Sequence, residues 1–202
     1  MPLSRFSVEA NSADMQRVYT ALSGIRKGAE RAINSALNKT VSKAQTRIVD
    51  DIYKELNLTK KVIKRFVIPY RSTFSTLRAF VHVTGEPISF KNYGAKVLVR
   101  GGISVKVRRW KGTEKFPWMF WAIMDSGHQG VWQRATWTEQ RVEKADNLWG
   151  ITTLPIEEAY GPSIVNVFHN QTEEPVTIDM SDYLQEQLLH ETDRVLSGIG
   201  YK

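Results

Sequence analysis

The chain has 202 residues, 42% hydrophobic and 24% charged, with 28 Lys and Arg against 21 Asp and Glu for a formal charge of +7. That size predicts one domain with room for a sizeable core, and the absence of cysteine excludes disulfides, thiolate metal sites and cysteine nucleophiles. No apolar run approaches the roughly 20 residues of a membrane-spanning helix, and Met1-Pro2-Leu3-Ser4-Arg5 lacks the blocks of a signal peptide, so a soluble protein with no membrane partner is expected.

Charge is unevenly distributed. Between Lys60 and Gly112 there are 13 basic residues and one acid, Glu86, whereas Trp137 to Lys202 holds 4 basic and 12 acidic residues. A basic middle joined to an acidic final portion predicts phosphate contact, or contact between opposite faces of neighbouring copies.

The first element is helical. Val18, Leu22, Ile25, Ala29, Ile33, Leu37, Val41, Ala44, Ile48, Ile52 and Leu56 recur every three or four residues. Asn11 or Ser12 is the expected N-cap, with Asp14 near the positive end of the helix. Gly24 and Gly28 predict a break, followed by a long helix from about Ile25 to Leu56. A stripe this rich in Ala and Thr reads as one helix covering a sheet, with a coiled-coil partner the lesser option. Thr59 then caps a short helix, Lys60 to Phe66, with Lys60, Lys61, Lys64 and Arg65 facing outward.

Beyond it the period changes to two. Phe66 to Arg71, with Pro69, reads as an edge strand, and Thr76 to Thr84 as a half-buried strand with Leu77, Ala79, Val81 and Val83 on one face. Ala95 to Arg100 and Ile103 to Arg109 are expected to form a hairpin through Gly101-Gly102. Phe116 to Met124 reads as a buried strand. The pattern is lost between Ser126 and Gly150, a loop excursion carrying Trp132, Trp137 and Trp149. Asp179 to Leu196 is an expected capped helix, with Met180, Tyr183, Leu184, Leu188 and Val195 on one side, acids on the other, and Gly198 and Gly200 at its end.

These elements predict an α+β fold, a long N-terminal helix packed on a mostly antiparallel β-sheet, with a C-terminal helix. Residues 1–202 form a single domain in this reading. Its parts are a helical arm (12–66), a basic sheet region (67–125), a loop-rich segment (126–178) and an acidic C-terminal helix (179–198).

No catalytic constellation is evident. Asp125-Ser126-Gly127-His128 holds nucleophile, acid and base types, but residues so close in sequence rarely converge as a triad. Glu157-Glu158 and Glu173-Glu174 point in alternating directions on any regular element. His82, His128, His169 and His190 have no metal-ligand spacing, and no phosphate-binding glycine loop is present. Neither cofactor nor metal is expected. Lys96, Arg100, Lys106, Arg108, Arg109 and Lys111, with Trp110, suit phosphate contact and base stacking, although alternating cations also keep exposed strands from pairing.

Several segments in order carry a family resemblance: RAINSALNKT (Arg31 to Thr40), LTKKVIKRF (Leu58 to Phe66), GEPISFKNYGA (Gly85 to Ala95), GGISVKVRR, FWAIMDSGHQGVWQR (Phe120 to Arg134) and LPIEEAYGPSI (Leu154 to Ile164). From about Ile25 to Phe168 the chain resembles the prophage minor tail protein Z family, the tail completion proteins of long-tailed phages. The resemblance implies a structural virion protein, made in the bacterial host cytoplasm, that acts late in assembly at the head-proximal end of the tail. It further implies a homo-oligomer, naturally a hexamer, among tail terminator, tail tube and neck or connector proteins.

Such a ring fits the charge split, with a basic sheet surface meeting the acidic C-terminal portion of the next copy. Candidate interface or DNA-facing residues are Lys60, Lys61, Lys64, Arg65, Lys96, Arg100, Lys106, Arg108, Arg109, Lys111, His128 and Arg134, with Glu186 and Glu191 opposite. Gly127 and Gly130 are expected to turn the chain so that His128 and Arg134 face a neighbour. Gly161-Pro162 should end a short helical piece from Ile156, leaving Tyr160 against the sheet. A protein contacting double-stranded DNA in the tail lumen is the alternative.

Overall fold

The computed structural model describes residues 3–134 and 156–198, so Trp137 and Trp149 of the expected loop excursion lie outside the described residues. The fold is α+β, with a long helix, a C-terminal helix and several small antiparallel sheets. The chain divides into two compact units, Met1–Tyr53 with Lys60–Glu86 and Ser163–Lys202, and Lys54–Thr59 with Pro87–Pro162.

The first unit opens with β1 (Leu3–Val8) and α1 (Ser12–Ala21). Asn11 caps α1 by accepting a hydrogen bond from the Ala13 N–H at 3.2 Å. The expected break falls after Leu22, where Lys27 takes the left-handed conformation at φ +57°, and α2 then runs 28 residues, Gly28–Glu55. Its Ala29, Ala32, Ile33, Ala36, Leu37, Val41, Ala44, Ile48 and Ile52 are all buried. The alanines in that stripe allow close approach of neighbouring elements. Thr40, also buried, returns its hydroxyl to the Ala36 carbonyl at 2.9 Å.

After α3 (Lys60–Phe66), β2 (Val67–Tyr70) and β3 (Ala79–Thr84) complete a three-stranded sheet in the order β1-β3-β2. Ala79, Val81 and Val83 face the core. Leu77 does not continue that face, because it closes a turn onto the Thr73 carbonyl with φ +41°. Pro69 sits on the edge strand, where its missing N–H costs no ladder bond. Tyr70 stacks on Phe80 at 4.7 Å on the outer face.

The helical path resumes at α4 (Ile164–Val167), widens through a π-type turn (Phe168–Thr172) and continues as α5 (Glu173–Leu196). α5 begins ahead of the expected Asp179. The Glu173 N–H bonds back to the Phe168 carbonyl across the π-type turn, and Pro175, which has no N–H to donate, follows directly on that turn. Arg47 meets Asp179 at 3.5 Å, Lys43 covers the Tyr183 ring at 3.5 Å and Lys39 meets Glu191 at 2.5 Å, so α2 and α5 run antiparallel.

In the second unit the expected long hairpin strands pair only over β5 (Lys96–Val97) and β6 (Ile103–Val105). The turn spans Leu98 to Gly102, closed by bonds of 3.0 Å from Leu98 N–H to the Gly102 carbonyl and from Gly101 N–H to the Leu98 carbonyl. Phe116 to Met124 is not one buried strand. Pro117, which has no N–H to donate, separates β7 (Glu114–Phe116) from β8 (Met119–Ile123), and Trp118 and Ile123 are exposed.

The expected loop after Ser126 instead forms β9 (Gln129–Arg134), paired with β8 and with β10 (Ile156–Glu158). The expected helical piece at Ile156 is thus corrected to strand. Residues 156–158 bond to β9, and β11 (Tyr160–Gly161) bonds to β4 (Ile88–Ser89), so ladder pairing overrides any local helical tendency.

Candidate functional site

Three of the motif segments meet in the second unit. The chain reverses after β8 in a turn where Gly127 adopts φ +80° and Met124 N–H bonds the His128 carbonyl at 2.9 Å. This turn presents the His128 ring to β10, where Nε2 lies 3.0 Å from Oε2 of Glu158. The Tyr160 hydroxyl donates to the same oxygen at 2.8 Å. Trp132 packs edge-on against His128 at 5.8 Å and donates its indole N–H to the Ala122 carbonyl at 3.2 Å.

Gly130 is a strand residue, not a turn. A Cβ there would lie 2.7 Å from Oε1 of Glu158, so a larger residue would make the carboxylate shift. Ser89 lies beside the carboxylate, and among the described residues Ser89 Oγ and Glu158 Oε1 are buried without a hydrogen-bond partner. Burial raises the Glu158 carboxyl, but the nearby Ser89 hydroxyl, the hydrogen bonds from Tyr160 and His128 and the His128 charge outweigh it and hold the group below the usual carboxylate range. The bond to Glu158, then burial, raises the Tyr160 phenol.

Beside this cluster Tyr93 is fully buried, its hydroxyl donating to the Pro162 carbonyl at 2.8 Å. Burial pushes its phenol well above the ordinary value, with Arg108 opposing. A Cβ on Gly161 would lie 2.6 Å from the Tyr93 ring, so the aromatic ring and the glycine fit as a pair. Tyr160 does not pack into the sheet as expected but stays half exposed with its hydroxyl on Glu158. The arrangement fastens the turn at Gly127 to β8, β10 and β11. The His128 ring is committed to Glu158 rather than to Asp125, which is exposed.

The basic candidates fall in both units and differ in their surroundings. In the first unit Lys60 pairs with Asp50 at 2.5 Å, while Lys61, Lys64 and Arg65 are exposed on α3. In the second unit Arg108 forms an ion pair with Glu55, and Trp110 donates to the same carboxylate at 2.7 Å. Arg109 bonds the carbonyls of Leu56 and Leu58, each at 3.1 Å, and Lys111 pairs with Glu114 at 2.5 Å. Lys96, Arg100 and Arg134 are exposed and Lys106 is half-buried.

Lys96, Ser104 and Lys115 align across β5, β6 and β7. Lys115 extends the cationic face and was not among the sequence candidates, since a single strand does not reveal its neighbours. On α5 Glu186 is exposed, whereas Glu191 is fully buried and held by Lys39 and Arg194 of its own chain. Glu158 was set aside in the sequence as half of an adjacent acid pair, and its place inside LPIEEAYGPSI was the available signal.

Among the described residues no three His, Asp or Glu side chains gather to hold a metal, and no helix is long and apolar enough to cross a membrane. In this α+β chain the polar clusters fasten short strands to one another. A family model described as prophage minor tail protein Z (GPZ) matches residues 15–197, and the chain belongs to that family. It is a phage minor tail protein, a structural component of the virion associated with other tail components. No curated protein and no solved structure matches the chain.

Proposed function

We propose that this minor tail protein completes the tail at its head-proximal end, forming a ring of about six copies in the neck that enables head–tail joining. The supporting observation is the separation of exposed charge. Lys61, Lys64 and Arg65 of α3 and Lys96, Arg100 and Lys115 of the second unit are exposed cations, while Asp182, Glu186 and Asp193 of α5 are exposed acids. Opposite charges on different surfaces favour head-to-tail contacts, which close into rings. The neighbours are the tail terminator, tail tube and neck or connector proteins, and the chain is made in the host cytoplasm. The test is its copy number in purified particles, by quantitative mass spectrometry against a tail ring protein. About six copies support the ring, and absence from the particle overturns it.

A second reading has one observation in its favour. The Lys96, Ser104 and Lys115 face suits phosphate contact with double-stranded DNA in the tail lumen. Duplex affinity that falls steeply with salt supports it, and no binding at low salt removes it.

A further inference from the structure

The first unit carries a feature that the charge separation does not use. A cleft of about 1080 Å³ is lined by α2, α5 and the segment after β2, with Arg31, Lys39, Arg71 and Arg194 around it and Phe74 and Tyr183 among them. Glu191 organises two of these cations. Its carboxylate is fully buried, Oε1 lies 2.5 Å from Lys39 and Oε2 3.1 Å from Arg194. Burial raises this carboxyl, and the bonds from Lys39 and Ser35 with the nearby charges outweigh that and hold it low. The lining residues include four cations and no acid, so the lining is positive.

Phe74 is 63% exposed on this rim. The turn that carries it is held by the Thr73 hydroxyl, 2.8 Å from Thr76 Oγ1 and 3.1 Å from Ser75 Oγ. A large aromatic held in place beside arginines suits an occupant that is both apolar and acidic.

A surface of that chemistry lies on α5. Ile178, Leu189 and Leu196 are 59%, 70% and 53% exposed, and Asp182, Glu186 and Asp193 fall among them at helical spacing. This stripe is turned away from Tyr183 and Arg194 on α5, about a third of a turn around the helix at ~100° per residue. The cleft and the stripe therefore face different directions on one chain, as a head-to-tail contact requires.

We propose that the cleft receives the Ile178–Leu196 stripe of α5 from a second copy of the chain, its leucines against Phe74 and its acids against Arg71. This contact presupposes the self-association proposed above and assigns the α5 acids to the cleft of the next copy. A nucleic acid is a poorer occupant, because the phosphates of a duplex give the exposed Phe74 no apolar counterpart.

The chain has no cysteine, so engineered thiols report the contact without background. Tails carrying Phe74→Cys with Leu189→Cys, treated with a short bis-maleimide, should yield a ladder of linked chains, and each single variant should not. Absence of the ladder in tails that hold the wild-type copy number overturns the cleft contact and leaves the ring standing. One copy per particle overturns both. Independently, Arg71→Glu should lower incorporation into tails at least tenfold, and adding Glu186→Arg should restore it to within twofold. Unchanged incorporation of Arg71→Glu, or loss of duplex binding in that variant without any ladder in the cysteine tails, overturns the proposal.

Discussion

His128 and Glu158, thirty positions apart, meet at 3.0 Å through Nε2 and Oε2. The other groups around that carboxylate, Ser89, Gly130 and Tyr160, come from the same three motif segments. Segments that are weak signals singly are thus parts of one cluster, and their shared order in the chain reflects a shared fold position.

The tight fit at Gly130 predicts a measurable cost. Gly130→Ala places a Cβ 2.7 Å from Glu158 Oε1 and should destabilise the protein by about 1–3 kcal/mol, the range for overpacking. Urea denaturation checks this, and combining it with Glu158→Ala should cost less than the sum of the two single changes. Strict additivity would show that the two residues are not in contact.

Gly161→Ala tests the neighbouring pair. The added methyl meets the Tyr93 ring at 2.6 Å, and because the ring is fully buried it has no room to move aside. A loss of about 1–3 kcal/mol is expected. Tyr93→Phe, which keeps the ring and leaves the partly exposed Pro162 carbonyl without its donor, should cost about 1 kcal/mol, the net worth of one such hydrogen bond.

Acid should weaken the fold through Glu158 and Glu191. Both carboxyls lie below the ordinary 4.5 in the folded chain, so the folded state binds fewer protons than the unfolded one as pH drops. Their stabilisation is complete above the unfolded value and is lost as pH falls through the folded values. Urea midpoints should be nearly level above about pH 5.5 and decline below about pH 4.5. Glu191→Gln should be less stable at neutral pH and show a shallower acid decline, and an undiminished decline would count against the Glu191 contribution.

Removing Glu55 should release two partners at once. Glu55→Ala deprives Arg108 of its ion pair and the Trp110 indole of its acceptor. These groups are partly exposed, so a loss of about 1 kcal/mol in thermal or urea unfolding is expected. A change within error would mean that water replaces both contacts.

The long helix and its break, the N-cap at Asn11, the edge strand with Pro69 and the inward face of β3 were all legible in the sequence. Each rests on spacing or conformational restriction among residues close in the chain, and enough turns or alternations repeat to be read. The short strands were not legible in this way. β5 and β11 have two residues each and β10 has three, too few to display a period. Their conformation comes from ladder bonds to distant partners.

The candidate site divides along the same line. Which residues are charged, and that basic and acidic stretches are segregated, follows from the sequence alone. Whether a given charge is available does not. Arg108 lies 53 residues from Glu55, and Lys39 lies 152 residues from Glu191. Only tertiary folding determines which carboxylate each cation meets, which acid is buried and which remains on the surface. Local patterns record the preferences of neighbouring residues, whereas burial and ion pairing depend on groups that the folded chain brings together from far apart.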